Sequence, residues 1–201
     1  MTERQTTTVN MPTVLFAAIV DHARAGKPEE ICGLVQGEGL TATGVIRAVN
    51  VAEEKIENYA VDEKTLLYFA RHEHEMVGIY HSHPVSVAYP SATDAWNAYY
   101  PDSIYFICSL EYDNAPVIRA FRMTPHFLDL DIPTLGHSLE FYETRPGLFA
   151  YKQEAERPVP SALTAVAAEV AAPFYVVYAS EADGSLEARV VSITEHPLVV
   201  V

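Results

Sequence analysis

At 201 residues the chain has the length of one domain with room for an appendage, and its 49% of hydrophobic residues is enough to build a core. The formal charge of -14, from 27 acidic against 13 basic side chains, disfavours a nucleic-acid partner, because phosphate binding depends on a basic surface. Two cysteines exclude a disulfide framework and fit a reducing, cytoplasmic setting.

The polar segment Met1 to Asn10 lacks the basic region of a secretory signal, and the apolar run Val14 to Val20 is short and followed by Asp21, His22 and Arg24. That run is predicted as an amphipathic helix from about Pro12, ended by Gly26 and Pro28. No apolar window approaches the ~18 residues of a membrane span, so no membrane association is expected. Ile31 to Gln36 reads as a strand, Gly37-Glu38-Gly39 as a turn, and a second strand follows to about Val49. Glu30 stands at the mouth of the first strand, and spacing alone makes it a surface Glu beside Glu29. Cys32 and Cys108 lie in apolar strand-like runs and read as small buried hydrophobes.

Val51 to Asn58 is a charged loop. Asp62 to Glu75 is predicted as a helix with Leu66, Phe69 and Ala70 facing inward and an acidic first turn suited to the helix dipole. It carries His72 and His74, which on a helix point roughly 200° apart and cannot chelate one ion. His81 and His83 have the same spacing but follow the strand-forming run Met76 to Tyr80. On a strand, residues two apart share a face about 7 Å from each other, so two imidazoles can converge.

Ser91-Ala-Thr-Asp94, after Pro90, reads as a helix start continuing through Trp96 and Tyr100, which would return a carboxylate over the strand end. His81, His83 and Asp94 then form a set suited to Zn²⁺, and three protein ligands leave the fourth position open, as in catalytic sites. A metal-free reading stands beside this one: Ser91 and Asp94 have the spacing of a capping box, and a chain with eight His can hold His-x-His by chance.

Strands are predicted at Ser103 to Leu110 and Val117 to Met123, joined by Asp113-Asn114. Later, Arg145-Pro146-Gly147 and Arg157 to Pro160 read as turn and linker, followed by a helix Ser161 to Ala171 and strands Phe174 to Ala179 and Leu186 to Ile193 about a turn at Asp183-Gly184. His126, His137 and His196 are isolated and read as structural. The final segments are too short for a core of their own, so they are expected to pack on the main domain, on a second copy in a homo-oligomer, or on a partner. The element order indicates an α/β fold with a mixed β-sheet flanked by helices.

His81-Ser82-His83-Pro84, six residues, Ser91, two residues and Asp94 together resemble the signature of the JAMM (MPN+, Mov34/JAB1) metallopeptidases. Pro28-Glu29-Glu30-Ile31-Cys32-Gly33-Leu34 is similar to the family's upstream glutamate segment, and weaker similarity runs through Asn50 and Tyr59 to about Met123. The resemblance implies an MPN/JAMM, cytidine-deaminase-like fold, with the peptidase domain expected over residues 1–130; beyond about Pro125 it fades, and the residue pattern there gives a helix-plus-hairpin extension over 131–201 expected to pack on that domain. It implies a zinc-dependent peptidase or isopeptidase with one Zn²⁺ per chain held by His81, His83 and Asp94, Glu30 as general base and Ser91 helping the oxyanion. The match is nearer to the small stand-alone prokaryotic members, which implies a substrate linked through the Gly-Gly terminus of a ubiquitin-like or sulfur-carrier protein. A peptidase for short peptides and a non-catalytic module of the same fold are the alternatives. A module that only binds predicts lost ligands, and none is lost; a nucleobase deaminase requires a Cys-x-x-Cys that does not occur.

Overall fold

A computed structural model describes residues 7–180 and 184–201. Residues 1–6 of the polar amino terminus and Asp183 of the expected turn lie outside the described residues. The described residues divide into two compact units, one of residues 7–89, 103–122 and 195–201 and the other of residues 90–102, 123–180 and 184–194.

The first unit opens with β1 (Val9–Met11) and α1 (Thr13–Gly26). Ile19, Val20 and Ala23 form the buried side of α1, and the helix stops at Gly26 before Lys27 and Pro28, which cannot continue it. Strands β2 (Cys32–Glu38) and β3 (Thr41–Ala48) form an antiparallel hairpin whose turn lies at Gly39-Leu40, later than expected. Gly39 has φ +58°, the left-handed region that glycine enters at little cost.

Helix α2 (Glu63–Arg71) is capped by Asp62, whose carboxylate accepts from Thr65 N at 3.0 Å and from the Thr65 hydroxyl at 2.8 Å. It is shorter than expected. His72 ends it, residues Glu73–Glu75 form a 3-10 turn, and only Phe69 of the expected inner stripe is fully buried, with Leu66 half-buried and Ala70 exposed.

Strand β4 (Met76–His83) pairs antiparallel with β2 on one side; on the other it pairs parallel with a strand at Ile104–Ser109, which in chain order follows α3 (Ala92–Trp96) and is β5. Strand β6 (Val117–His126) pairs antiparallel with β5. With β11 (Leu198–Val200), the order across this part of the sheet is β11-β1-β3-β2-β4-β5-β6, a mixed arrangement. A Cβ on Gly78 would run into the carbonyl of Ile104, its register partner, so glycine sets how closely β4 and β5 approach. Ile104, Phe106 and Cys108 alternate along β5 into the cluster with Ile19, Val20 and Ala23 of α1. Fully burying a side chain of the Ile or Phe kind contributes roughly 1.5–3 kcal/mol. This packing fixes α1 to one face of the sheet.

The second unit contains α3, α4 (Ile132–Gly136), β7 (Tyr142–Arg145), β8 (Leu148–Gln153), α5 (Thr164–Glu169), β9 (Phe174–Ser180) and most of β10 (Leu186–His196). The order β10-β9-β8-β7 is antiparallel throughout. The expected helix after Pro160 is divided into a 3-10 turn, Ser161–Leu163, and α5; the expected hairpin is β9 and β10. Arg145-Pro146-Gly147 is the turn of a second hairpin whose strands the sequence reading passed over. Ile132, Leu135, Leu163, Val166, Phe174, Val176 and Val190 share a core within this unit. Strand β11 (Leu198–Val200) returns to the first unit and pairs with β1.

Candidate metal centre

Strand alternation sorts the residues of β4. Tyr80 turns toward α1, where its hydroxyl lies 2.9 Å from Nδ1 of His22. Burial, with Arg47 nearby, holds His22 down at about 4, so it is neutral at physiological pH. His81 and His83 occupy the opposite face and are buried. Their Nε2 atoms are 3.1 Å apart.

The His83 ring is oriented by its other nitrogen. Nδ1 lies 2.8 Å from the carbonyl of Val87, so it donates the N–H and leaves the lone pair on Nε2. This is the tautomer that can ligate a cation through Nε2. Tetrahedral Zn²⁺ with Zn–N bonds of about 2.0–2.1 Å holds two nitrogens about 3.3–3.4 Å apart, close to the spacing seen.

Asp94 lies in the first turn of α3. Ser91 and Asp94 form a full capping box: Asp94 N donates to Ser91 Oγ at 3.0 Å, and Ser91 N and Oγ donate to Asp94 Oδ2 at 2.7 and 2.8 Å. The metal-free reading of this motif is therefore realised as geometry. It is also compatible with ligation, since a carboxylate has two oxygens. The helix ends at Trp96, so Tyr99 and Tyr100 are outside it, contrary to expectation. Among the described residues, one ligand atom each from His81, His83 and Asp94 lie within 4.8 Å of one another. Two imidazole nitrogens and one carboxylate oxygen form a donor set that fits a divalent transition ion.

Glu30 is not the surface residue that spacing suggested: it is 7% exposed. The register Cys32↔His81, with Ser82 N donating to Ile31 O at 3.0 Å, holds the start of β2 against the end of β4, and Glu30 stands two residues before Cys32. Its backbone is held at both ends. Glu30 N donates to Lys55 O at 2.7 Å, and Glu30 O accepts from Asn50 Nδ2 at 2.9 Å.

Asn50 organises the loop beside it. Nδ2 also donates to Asn58 O at 2.9 Å, while Oδ1 accepts from Ala52 N at 3.0 Å and Ala60 N at 3.1 Å. That loop presents Tyr59, whose ring stacks on His81. Neither role had a signal in residue spacing, since both depend on contacts across the fold.

The other candidates resolve as structural. His72 stacks on Tyr68 with centroids 4.1 Å apart and lies 2.9 Å from its carbonyl, and His74 is exposed beside Glu75. His126, His137 and His196 make contacts to Ser192, to Pro133 O and to Thr7 O. Burial pushes the Cys32 thiol up to about 12, with Asp62 and Glu30 adding to it, and burial does the same for Cys108. Neither supplies a thiolate nucleophile near neutral pH.

Comparison with known proteins agrees with this geometry. The family of prokaryotic homologues of the JAB domain matches residues 12–124. The desampylase of Haloferax volcanii is 39% identical over 102 residues, 46% of this chain and 73% of that protein. The CysO-cysteine peptidase of Mycobacterium tuberculosis is 33% identical over 114 residues, 54% of this chain and 78% of that protein. A protein from Desulfitobacterium hafniense solved in solution superposes with a TM-score of 0.51 at 29% identity, covering 57% of this chain and 83% of that one. No helix among the described residues is long and apolar enough to cross a membrane. The chain belongs to the family of prokaryotic JAB-domain homologues, and it is a hydrolase of the JAMM peptidase and isopeptidase type.

Proposed function

We propose that the protein is a zinc-dependent isopeptidase that hydrolyses an amide bond at the Gly-Gly carboxyl terminus of a ubiquitin-like or sulfur-carrier protein. The observation that carries the reading is the convergence of His81, His83 and Asp94 with the ligand tautomer of His83 already set. The names of the relatives, a desampylase and a CysO-cysteine peptidase, support the substrate class. The match over residues 12–124 supports residues 1–130 as the peptidase domain and 131–201 as an extension.

His81 Nε2, His83 Nε2 and a carboxylate oxygen of Asp94 would hold one Zn²⁺. That ion would supply a Lewis acid that polarises the scissile carbonyl and acidifies water. Glu30, buried beside the start of β2, takes the proton of the attacking water and passes it to the leaving amine. Ser91 releases Asp94 Oδ2 and turns its hydroxyl to the oxyanion, where a donor aimed at developing charge contributes about 3–4 kcal/mol.

A Gly-Gly tail lets its backbone come close to the reacting centre. Val49, Val51 and Ile56 are exposed in the segment tied to Glu30, an apolar rim for the folded body of a carrier. The charge of -14 favours a carrier with basic residues around its tail, so raised salt slows association. The test is to incubate the protein with a Gly-Gly-linked conjugate, to lysine or to a single amino acid such as cysteine, and with unstructured peptides of matched sequence. Preferential cleavage of the folded conjugate is the expected result, and equal rates overturn the carrier reading in favour of a peptidase for short peptides.

A further inference from the structure

Helix α3, which carries Asp94 and follows directly on Ser91, has only 5 residues, all of them buried. A helix of this length has no stability of its own, and its capping box satisfies donors at one end only. Further restraint comes from residues far along the chain. Tyr175 of β9 donates its hydroxyl to Pro90 O at 2.9 Å, immediately before the N-cap. Thr144 of β7 places its Oγ1 3.3 Å from that of Thr93, the residue before Asp94. Arg189 of β10 donates from its guanidinium to Trp96 O at 3.2 Å, closing the carboxyl end.

Arg189 is the costly member. It is 6% exposed, lies 4.3 Å from the centre of the Trp96 ring with Tyr99 and Phe127 each at 5.8 Å, and pairs with Glu187. Burying a guanidinium is unfavourable unless its partners are fixed, so it tolerates little movement of the helix it grips. Thr144, Tyr175 and Arg189 all lie beyond residue 124, where the family match ends.

We propose that the segment after the family match is a brace for the metal centre: Tyr175, Thr144 and Arg189 are positioning residues that hold α3 at its start, middle and end, and so fix the Asp94 carboxylate where it can ligate. The proposal rests on the reading of Asp94 as a ligand. It gives the extension a part in metal affinity and turnover as well as in stability.

The test titrates metal-free protein with Co²⁺, measuring the dissociation constant and the amide exchange of Ala95 and Asn97, whose N–H groups donate to Ser91 O and Thr93 O. Tyr175→Phe, Thr144→Val and Arg189→Lys are each expected to weaken Co²⁺ binding about 5- to 10-fold, to speed exchange at both amides, and to lower kcat more than they raise KM. Unchanged Co²⁺ affinity in these variants, with only a lowered Tm, overturns the brace. If Arg189→Lys does not fold, Tyr175→Phe, which removes one oxygen, decides the matter. Asp94→Ala separates the two claims. It is expected to abolish Co²⁺ binding; wild-type binding in this variant overturns the ligand reading and the brace with it, whereas lost binding beside unaffected brace variants overturns the brace alone.

Discussion

The ring of Tyr59 lies flat on the imidazole of His81, with centroids 4.2 Å apart and planes inclined by 17°. Tyr59 belongs to a loop and His81 to a buried strand, so the stack couples loop order to the orientation of a proposed ligand. Aromatic pairs of this kind contribute about 0.5–1.5 kcal/mol beyond area burial. Tyr59→Ala is therefore expected to weaken metal binding by about 2- to 12-fold, while Tyr59→Phe, which keeps the ring, stays within about 2-fold. Competition against a metal indicator measures both.

Asn50 ties the loop to Glu30 through four hydrogen bonds, using both donors and both acceptor positions of one side chain. Asn50→Ala leaves two backbone N–H and two C=O groups without that partner, and is expected to cost about 2–4 kcal/mol of stability in a denaturant titration. Asn50→Asp keeps the acceptors but sets a carboxylate against the carbonyls of Glu30 and Asn58, so it is expected to recover only part of the loss.

What the sequence made legible is what local periodicity encodes. His81 and His83 fall on one strand face because the period of a strand is two, and Ser91 with Asp94 starts a helix because the capping geometry is local. Glu30 was different. Its burial just before β2 follows from the pairing of β2 with β4, and register between distant segments is not written in either segment alone. Spacing therefore reads it as a surface residue, and the role proposed for it rests on the family resemblance. The Asn50 clamp and the grip of Arg189 on Trp96 are long-range for the same reason. Helix α3 stops at Trp96 because Asn97 caps it, although the apolar pattern continues to Tyr100. The β7–β8 hairpin was missed because Tyr142–Arg145 has no alternating apolar pattern; only its turn, with Gly147 at φ +79°, left a mark.

Glu30 is proposed to move protons without holding the metal. Glu30→Gln preserves the shape of the side chain and the backbone bonds to Lys55 and Asn50, so zinc content is expected to stay at the wild-type level. Turnover of a Gly-Gly conjugate is expected to fall by roughly 10²-fold or more, the size of a lost general base. Wild-type turnover in this variant removes Glu30 from the mechanism.

The central claim is that one zinc ion is held by His81, His83 and Asp94, and zinc content of the purified protein by elemental analysis tests it most directly. The account predicts one zinc per chain in the wild type, loss of that zinc in His81→Ala, and its retention when His72→Ala and His74→Ala are combined, because those two rings are committed to Tyr68 and to the surface. Zinc retained in His81→Ala and lost in the His72→Ala, His74→Ala double variant would contradict it.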